Sequence, residues 1–524
     1  MAIEATEKIW TRREALSAEG RTAMAVALGA LFVAMLASTW LFHKFDWDIL
    51  EVVFLPLIHG QPVESDPYSF LLSSLLALLG EAVGGLPGFW IWLVLATALY
   101  VAAGVLIFLV AHRWTGSRAA ATIGAAVFLS AYCIVYVSSY LDDNVFQAFF
   151  VCLALWALLR DRPRIGLAAV AYGLSCAFHL QSFALAPAFA VGVWLHSPGS
   201  AADRTRTLAV AAGLVTLVYG GLLLLFVDVG ALIAVINGAA SHGPGAFVVS
   251  QDDAGLLELL ARGAVATLLP FPIHIRAIFE RPLLYVPTLG AGLLYIGAVV
   301  ALAVRRPGQL VRAAPWLATA FAGFAMGVLF ALVAEPDGTE RWVSVAPFFA
   351  LLAAAAADRS RRFGSWTERR AGSGIIHILA AVLVLFAVFP GKVVAFAAFG
   401  SERQVVTSGM IAALDAAFAE TDLVVLNEGF EALSLYRAQR TCYTVFEYWK
   451  DNVKCWGPEG VTHRDRDDLS YLDGQRTIAM QVGLPDLDAD AVVDGEPVEI
   501  CDPGYFARAF GSGRCVTLKV GRIR

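Results

Sequence analysis

The sequence predicts an α-helical membrane protein with many spans and a small α/β domain at its C-terminal end. Three observations carry this. Of 524 residues, 58% are hydrophobic and 16% charged, against about 25% charged in an ordinary soluble domain. The apolar residues fall in blocks of about 20, long enough to cross a bilayer as helices, without the alternation that barrel strands need. Charge is also divided: residues 400–524 hold 20 acidic and 13 basic residues, whereas residues 1–399 hold 24 and 25. A transmembrane domain over 1–399 and a soluble domain over 400–524 follow. No basic arm or stripe suggests nucleic acid.

Taken in order, the apolar blocks predict eleven spans near 22–42, 88–111, 119–138, 144–159, 165–179, 182–196, 207–227, 284–304, 313–333, 342–357 and 374–397. The first follows a basic leader and, at 21 residues, is long for a cleaved signal core, so it reads as an uncleaved anchor. The flanks test the map. One set of loops, from Lys8 to Arg370, carries 19 cations. The opposite set carries five, Lys44, Arg262, Arg276, Arg281 and Arg341. Positive loops stay in the cytoplasm. The N-terminus is therefore expected inside the cytoplasmic membrane, and eleven spans put the C-terminal domain outside it.

The map also sorts the candidate acids, which fall on the external face. Asp46, Asp48, Glu51, Glu64 and Asp66 fall in the first external loop, and Asp142 and Asp143 in the second. Asp252, Asp253 and Glu258 lie in the long loop 228–283; Glu335, Asp337 and Glu340 precede the tenth span. No acid sits centrally in a span, as an ion-coupled carrier would require. Within the first loop, residues 48–58 are amphipathic and too short to span, which predicts a helix lying along the membrane surface. Gly60-Gln61-Pro62 makes a turn, and Ser65-Asp66-Pro67 starts a second surface helix, with Ser65 or Asp66 as cap.

One span, an acidic pair, a surface helix, a Gly-x-Pro turn and a second apolar helix ending in Gly resemble the first external loop of the GT-C glycosyltransferases. These are polytopic enzymes using lipid-linked sugar donors, among them protein mannosyltransferases and aminoarabinose transferases. YLDDNVFQAFFVCLALWALLRDR resembles their acid-bearing second loop, and ERWVSVAPFFALLAAAAADR a late span opening on an arginine. DLVVLNEGFEALSLYRAQR resembles a strand–helix unit of their soluble tail. The usual acidic pair is replaced by Asp46-Trp47-Asp48, so its register is open between Asp46 and Asp48. The WWDYG-type signature of oligosaccharyltransferases is absent.

The resemblance implies sugar transfer from a polyprenyl-phosphate donor to an acceptor hydroxyl on a glycan, lipid or protein, outside the membrane and with inversion. Asp46 or Asp48 is the expected catalytic base, against a competing reading of interfacial anchoring beside Trp47. Arg341 is the expected clamp for the donor phosphate, against a salt bridge to Glu335, Asp337 or Glu340. Arg276, with His274 beside it, is a second phosphate candidate, against interfacial snorkelling. Asp142 and Asp143 would orient the acceptor or hold a divalent metal, against a helix cap. His179, Gln181 and His242 are weaker candidates for donor contacts. No Gly-rich phosphate loop, Ser-His-Asp order or HExxH occurs, so no cofactor is required by the sequence and a divalent metal stays open. A polysaccharide polymerase or ligase working through loop 228–283, and a lipid-linked sugar transporter, are the alternatives.

In the tail, 404–420 reads as an amphipathic helix, 422–427 as a buried strand, roughly 428–438 as a second helix and VTLKVGRIR as a closing strand. Cys133, Cys152 and Cys176 fall in apolar helices as packing residues. Cys442, Cys455, Cys501 and Cys515 fall in the tail at spacings of 13, 46 and 14. Without a CxxC knuckle these favour two disulfides over a zinc site, which agrees with an external domain.

Overall fold

The computed structural model describes residues 28–37, 70–140, 143–160, 162–227, 315–334, 339–359, 421–427, 440–447, 450–457, 460–465, 469–483, 492–501 and 515–523, with a few isolated positions besides. Ten named helices come first and a sheet follows. They are α1 (Phe70–Val83), α2 (Gly85–Thr115), α3 (Arg118–Ser130), α4 (Tyr132–Tyr140), α5 (Asp143–Leu158), α6 (Ile165–Phe178), α7 (Ala186–His196), α8 (Ala201–Phe226), α9 (Pro315–Ala334) and α10 (Ala346–Arg359). Among the described residues, Pro87–Thr115 and Ala201–Phe226 are each long and apolar enough to cross a membrane, and eight further apolar helices are shorter. The expected spans at 284–304 and 374–397 lie outside the described residues, apart from a helical Val384.

Helix boundaries follow local chemistry. Gly116 ends α2 in the left-handed conformation (φ 66°), its N–H bonded to the His112 carbonyl, a conformation only glycine enters at little cost. Ser117 then caps α3 through Ala120 N–H. A reciprocal capping box between Ser200 and Asp203 starts α8.

Three predicted spans have a different internal shape. The stretch 119–138 is two helices, because Ala131 is extended (φ −57°, ψ 127°) and its N–H closes α3 onto Val127 and Phe128. The span expected at 182–196 begins with a 3-10 turn, Leu180–Leu185, before α7. The span expected at 342–357 likewise begins with a 3-10 turn, Thr339–Trp342, before α10.

The helices pack closely through small residues. A Cβ on Gly124 of α3 would lie 2.9 Å from Ala354 Cβ of α10, and one on Gly192 of α7 would lie 2.9 Å from Thr319 Cγ2 of α9. Close approach of this kind supplies the van der Waals contact that holds helices together in lipid. Stacked rings reinforce it: Trp114 on Trp316 at 4.4 Å and Trp92 on Phe146 at 4.3 Å. In contrast, α8 turns Val210, Leu217, Leu224 and Leu225 outward, each more than half exposed, as a lipid-facing surface would be.

The first-loop helices are more embedded than surface helices would be. Helix α1 buries Phe70, Leu71, Leu72, Leu76 and Ala77 against α2, α6 and α8. Val53 and Leu57, from the stretch expected to lie along the membrane, are 1% and 0% exposed.

The C-terminal part holds one seven-stranded mixed sheet: β1 (Leu423–Asn427), β2 (Arg440–Glu447), β3 (Lys450–Gly457), β4 (Gly460–Asp465), β5 (Thr477–Gln481), β6 (Pro497–Cys501) and β7 (Cys515–Arg522), in the order β4-β3-β2-β1-β5-β7-β6. Strand β1 is parallel to both neighbours and every other pairing is antiparallel. The continuous apolar run LVVL of β1 is buried on both faces, as a central parallel strand should be. The strands expected at 422–427 and in VTLKVGRIR are β1 and β7. The helix expected over 404–420 is described only at Ala413 and Ala416, both helical, and 428–438 lies outside the described residues.

Candidate functional site

A buried polar cluster sits at one end of the bundle. Its floor is aromatic: Phe146 stacks on Trp92 and, at 4.9 Å, on Phe178, which also stacks on Phe150 at 5.4 Å. Each such pair contributes about 0.5–1.5 kcal/mol beyond its area, and together they fix the start of α5 against α2 and α6. Above this floor the first turn of α5 carries Asp143 (4% exposed), Asn144 (1%) and Gln147 (0%). Polar side chains buried so completely need hydrogen-bond partners.

The partners come from the 3-10 turn that follows α6. His179 Nδ1 accepts from the Gln181 backbone N–H at 3.1 Å. Ser182 is gripped twice from α6: its carbonyl accepts from Tyr172 Oη at 2.6 Å, and its hydroxyl meets Ser175 Oγ at 2.6 Å. So anchored, the turn sends the Gln181 side chain across to α5, where Nε2 donates to both Asn144 Oδ1 and Gln147 Oε1. Asn144 Nδ2 in turn donates to Asp143 Oδ1 at 3.3 Å. Gln181 Oε1 and Gln147 Nε2 have no hydrogen-bond partner among the described residues.

Arg341 belongs to the same end. Its 3-10 turn follows the C-terminus of α9 and packs against α4 and α9, while the turn bearing Gln181 also packs against α9. Arg341 is half-buried, and its carbonyl accepts from Ser344 Oγ at 3.3 Å. Asp143, His179, Gln181 and Arg341 therefore share one end of the bundle. The opposite end holds the loops rich in cations, where Arg160 lies 4.5 Å over the Trp156 ring.

Asp46, Asp48, Asp142, His242, His274 and Arg276 lie outside the described residues. Asp143 is the first helical residue of α5 rather than a cap outside it. Asn144 and Gln147 are members of the cluster that the sequence reading did not single out. Their signal was present in YLDDNVFQAFF: two amides, three apart, opening an otherwise apolar helix.

In the C-terminal part, Cys501 and Cys515 form a disulfide between β6 and β7. Glu499 lies within ligand-forming reach of both sulfurs, but bonded sulfurs are not thiolates and cannot hold a metal there. Cys442 and Cys455 stand directly opposite one another across β2 and β3. Asp422, before β1, accepts from the Arg476 N–H at 3.0 Å and from Thr477 through its N–H at 2.9 Å and its hydroxyl at 3.0 Å. These bonds, led by those from Thr477, hold its carboxyl below the ordinary carboxylate range.

No protein-family model matches the chain, and no curated protein matches it. Solved structures do. ArnT from Cupriavidus metallidurans, bound to undecaprenyl phosphate, superposes with a TM-score of 0.51 at 13% identity, over 96% of this chain and 98% of that one. The chain has a GT-C-like fold. Two structures of an archaeal oligosaccharyltransferase from Archaeoglobus fulgidus match at TM-scores of 0.40 and 0.44. The first is AglB with an inhibitory peptide and a dolichol phosphate, at 15% identity over 79% of this chain and 64% of that one. The second contains zinc and sulfate, at 13% identity over 87% and 68%. This fold agrees with the multi-pass membrane protein that the composition predicts.

Proposed function

We propose that this chain is a membrane glycosyltransferase that moves a sugar from a polyprenyl-phosphate donor to an acceptor hydroxyl, with inversion, at the extracytoplasmic face. The observation that carries the reading is the end-to-end likeness to ArnT, a structure that holds undecaprenyl phosphate. The gathering of Asp143, Gln181 and Arg341 at the end opposite the cation-rich loops supports it.

In this reading residues 1–399 form the catalytic membrane domain, with eleven spans and a cytoplasmic N-terminus, and residues 400–524 form an external domain. Asp46 or Asp48 takes the proton of the acceptor hydroxyl as its oxygen attacks the anomeric carbon. The bond from that carbon to the phosphate oxygen breaks, and polyprenyl phosphate leaves with the electron pair. General-base help of this kind contributes roughly 10²–10⁴-fold. Arg341 meets the charge growing on the leaving phosphate through its planar fork, with Arg276 and His274 as a second contact and His179 and His242 near the donor. Asp142 and Asp143 orient the acceptor, a glycan, lipid or protein hydroxyl. A divalent cation, if these carboxylates hold one, would supply further charge neutralisation at the phosphate.

The test uses the purified full chain in lipid nanodiscs, offered labelled undecaprenyl-phosphate monosaccharides one at a time with an envelope extract as acceptor. Label should pass to the extract with release of undecaprenyl phosphate. Either Asp46→Asn or Asp48→Asn should lower the rate by about 10²–10⁴-fold, and Arg341→Gln by about 10²–10³-fold. Unchanged transfer in both aspartate variants would remove the proposed centre. In sealed proteoliposomes of the same protein, label crossing the membrane with its phosphate bond intact would instead identify a transporter.

A further inference from the structure

We propose that Gln181 is a positioning residue that sets the orientation of the Asn144 carboxamide and, through it, the Asp143 carboxylate. The inference rests on the reading that Asp143 orients the acceptor.

A side-chain amide offers two N–H groups on one side and an oxygen on the other, and its direction is set by what surrounds it. Asn144 has Asp143 Oδ1 on one side and Gln181 on the other. Because Gln181 Nε2 donates to Asn144 Oδ1, that oxygen is held toward the 3-10 turn and Nδ2 is left facing the carboxylate. Turned by half a rotation, the Asn144 oxygen would face Asp143, placing two acceptors together at a site 4% exposed or less.

Gln181 commits both of its N–H groups to this task, one to Asn144 and one to Gln147. Its own Oε1, and Gln147 Nε2, are left without partners among the described residues. Side chains this buried are held in direction by the hydrogen bonds they do make. The turn bearing Gln181 is itself held from three directions, by His179, Tyr172 and Ser175. Direction thus passes from α6 to the turn, from the turn to Asn144, and from Asn144 to Asp143.

Two variants separate this role from ordinary packing. Gln181→Leu removes the donors; Gln181→Glu keeps the shape but replaces the donors with acceptors. Their structures, solved in nanodiscs, should have the Asp143 carboxylate displaced. A carboxylate that keeps its wild-type place in both overturns the proposal, whatever reaction the chain performs. Kinetically, with the labelled undecaprenyl-phosphate sugar that the wild-type protein turns over, Gln181→Leu should lower kcat about 10- to 100-fold with the donor KM little changed. Combined with Asp143→Asn it should be no slower than Asp143→Asn alone, because a residue acting through another adds nothing once that other is gone. Multiplying effects, or a wild-type rate in Asp143→Asn, defeat the positioning role. The proposed reaction itself is judged separately, by the Asp46 and Asp48 variants. Failure of both Gln181 variants to accumulate as folded protein would mark the network as structural and also overturn the inference.

Discussion

Leu57 crosses α1 at Gly80 with no room for a side chain between them. A Cβ on Gly80 would overlap the Leu57 carbonyl oxygen and stand 2.8 Å from its carbonyl carbon and 2.9 Å from its Cα. Leu57 Cδ2 also fills the place a Cβ would take on Gly88, at 2.8 Å. Leu57, nine residues beyond Asp48, is therefore seated in a notch cut by two glycines. Gly80→Ala should unseat it, at about 1–3 kcal/mol for overpacking against backbone that cannot give way. Gly213→Ala, which meets nothing within 4 Å, is the matched control. In thermal unfolding of the detergent-solubilised protein, Gly80→Ala should lower the midpoint and Gly213→Ala should not. Equal midpoints would mean the notch does not hold the loop.

A second tight contact joins α9 to α10. The place of a Cβ on Gly323 is taken by the ring of Phe348, which is 3% exposed. Gly323→Ala should destabilise the pair of helices by about 1–3 kcal/mol, and Phe348→Leu should do so through the volume it removes. The two changes relieve each other, so the double variant should be more stable than the sum of the single effects. Additive losses would indicate that α9 and α10 slide apart instead of meeting at this point.

Asp422 makes the C-terminal sheet sensitive to acid. Its folded carboxyl is held below the ordinary range by Thr477 and Arg476. A depressed folded value favours the native state at pH above the unfolded value, near 3.9. That contribution declines as pH falls through the unfolded value and is gone below the folded one. Hydrogen exchange of β1 and β5 in the intact protein should distinguish wild type from Asp422→Asn at pH 7. The difference should shrink as the pH drops below about 4. A difference that grew toward acid would reverse the sign and refute the assignment.

Much of the architecture was legible because lipid imposes a coarse rule. Apolar blocks and the strand LVVL are signals that need no tertiary information. The breaks were not legible in the same way. Ala131 interrupts a span without proline or glycine nearby, and only the closure of α3 onto its own last carbonyls marks it. The 3-10 turn at Leu180–Leu185, which carries Gln181, hides inside apolar sequence, whereas the one at Thr339–Trp342 places Arg341 at the polar mouth of a span. His179 and Gln181 stood out as polar residues in an apolar run. The spacing of Asn144 and Gln147 marks them as a polar pair opening an apolar helix, but their partner is a residue 34 to 37 positions away, which spacing along one helix cannot identify.

The cysteines of the tail give the last prediction. Cys501 and Cys515 face each other in register across β6 and β7, their Cα atoms 4.0 Å apart, and are bonded. Cys442 and Cys455 have the same relation across β2 and β3. Directly opposed residues of an antiparallel pair have Cα atoms about 4.5–5.5 Å apart, within the range a disulfide spans. A single zinc shared by all four is ruled out by the strand order. β2 and β7 are separated by β1 and β5, about 14 Å at the usual strand spacing, whereas zinc–sulfur bonds are about 2.3 Å. Peptide mapping of unreduced protein from an oxidising compartment should therefore return two links, 442–455 and 501–515, and no crossed pair. Cys442→Ser with Cys455→Ser should cost the sheet about 3 kcal/mol, as expected for a loop of this length. Free thiols at both positions, or a link between the two flanks, would contradict the register on which the pairing rests.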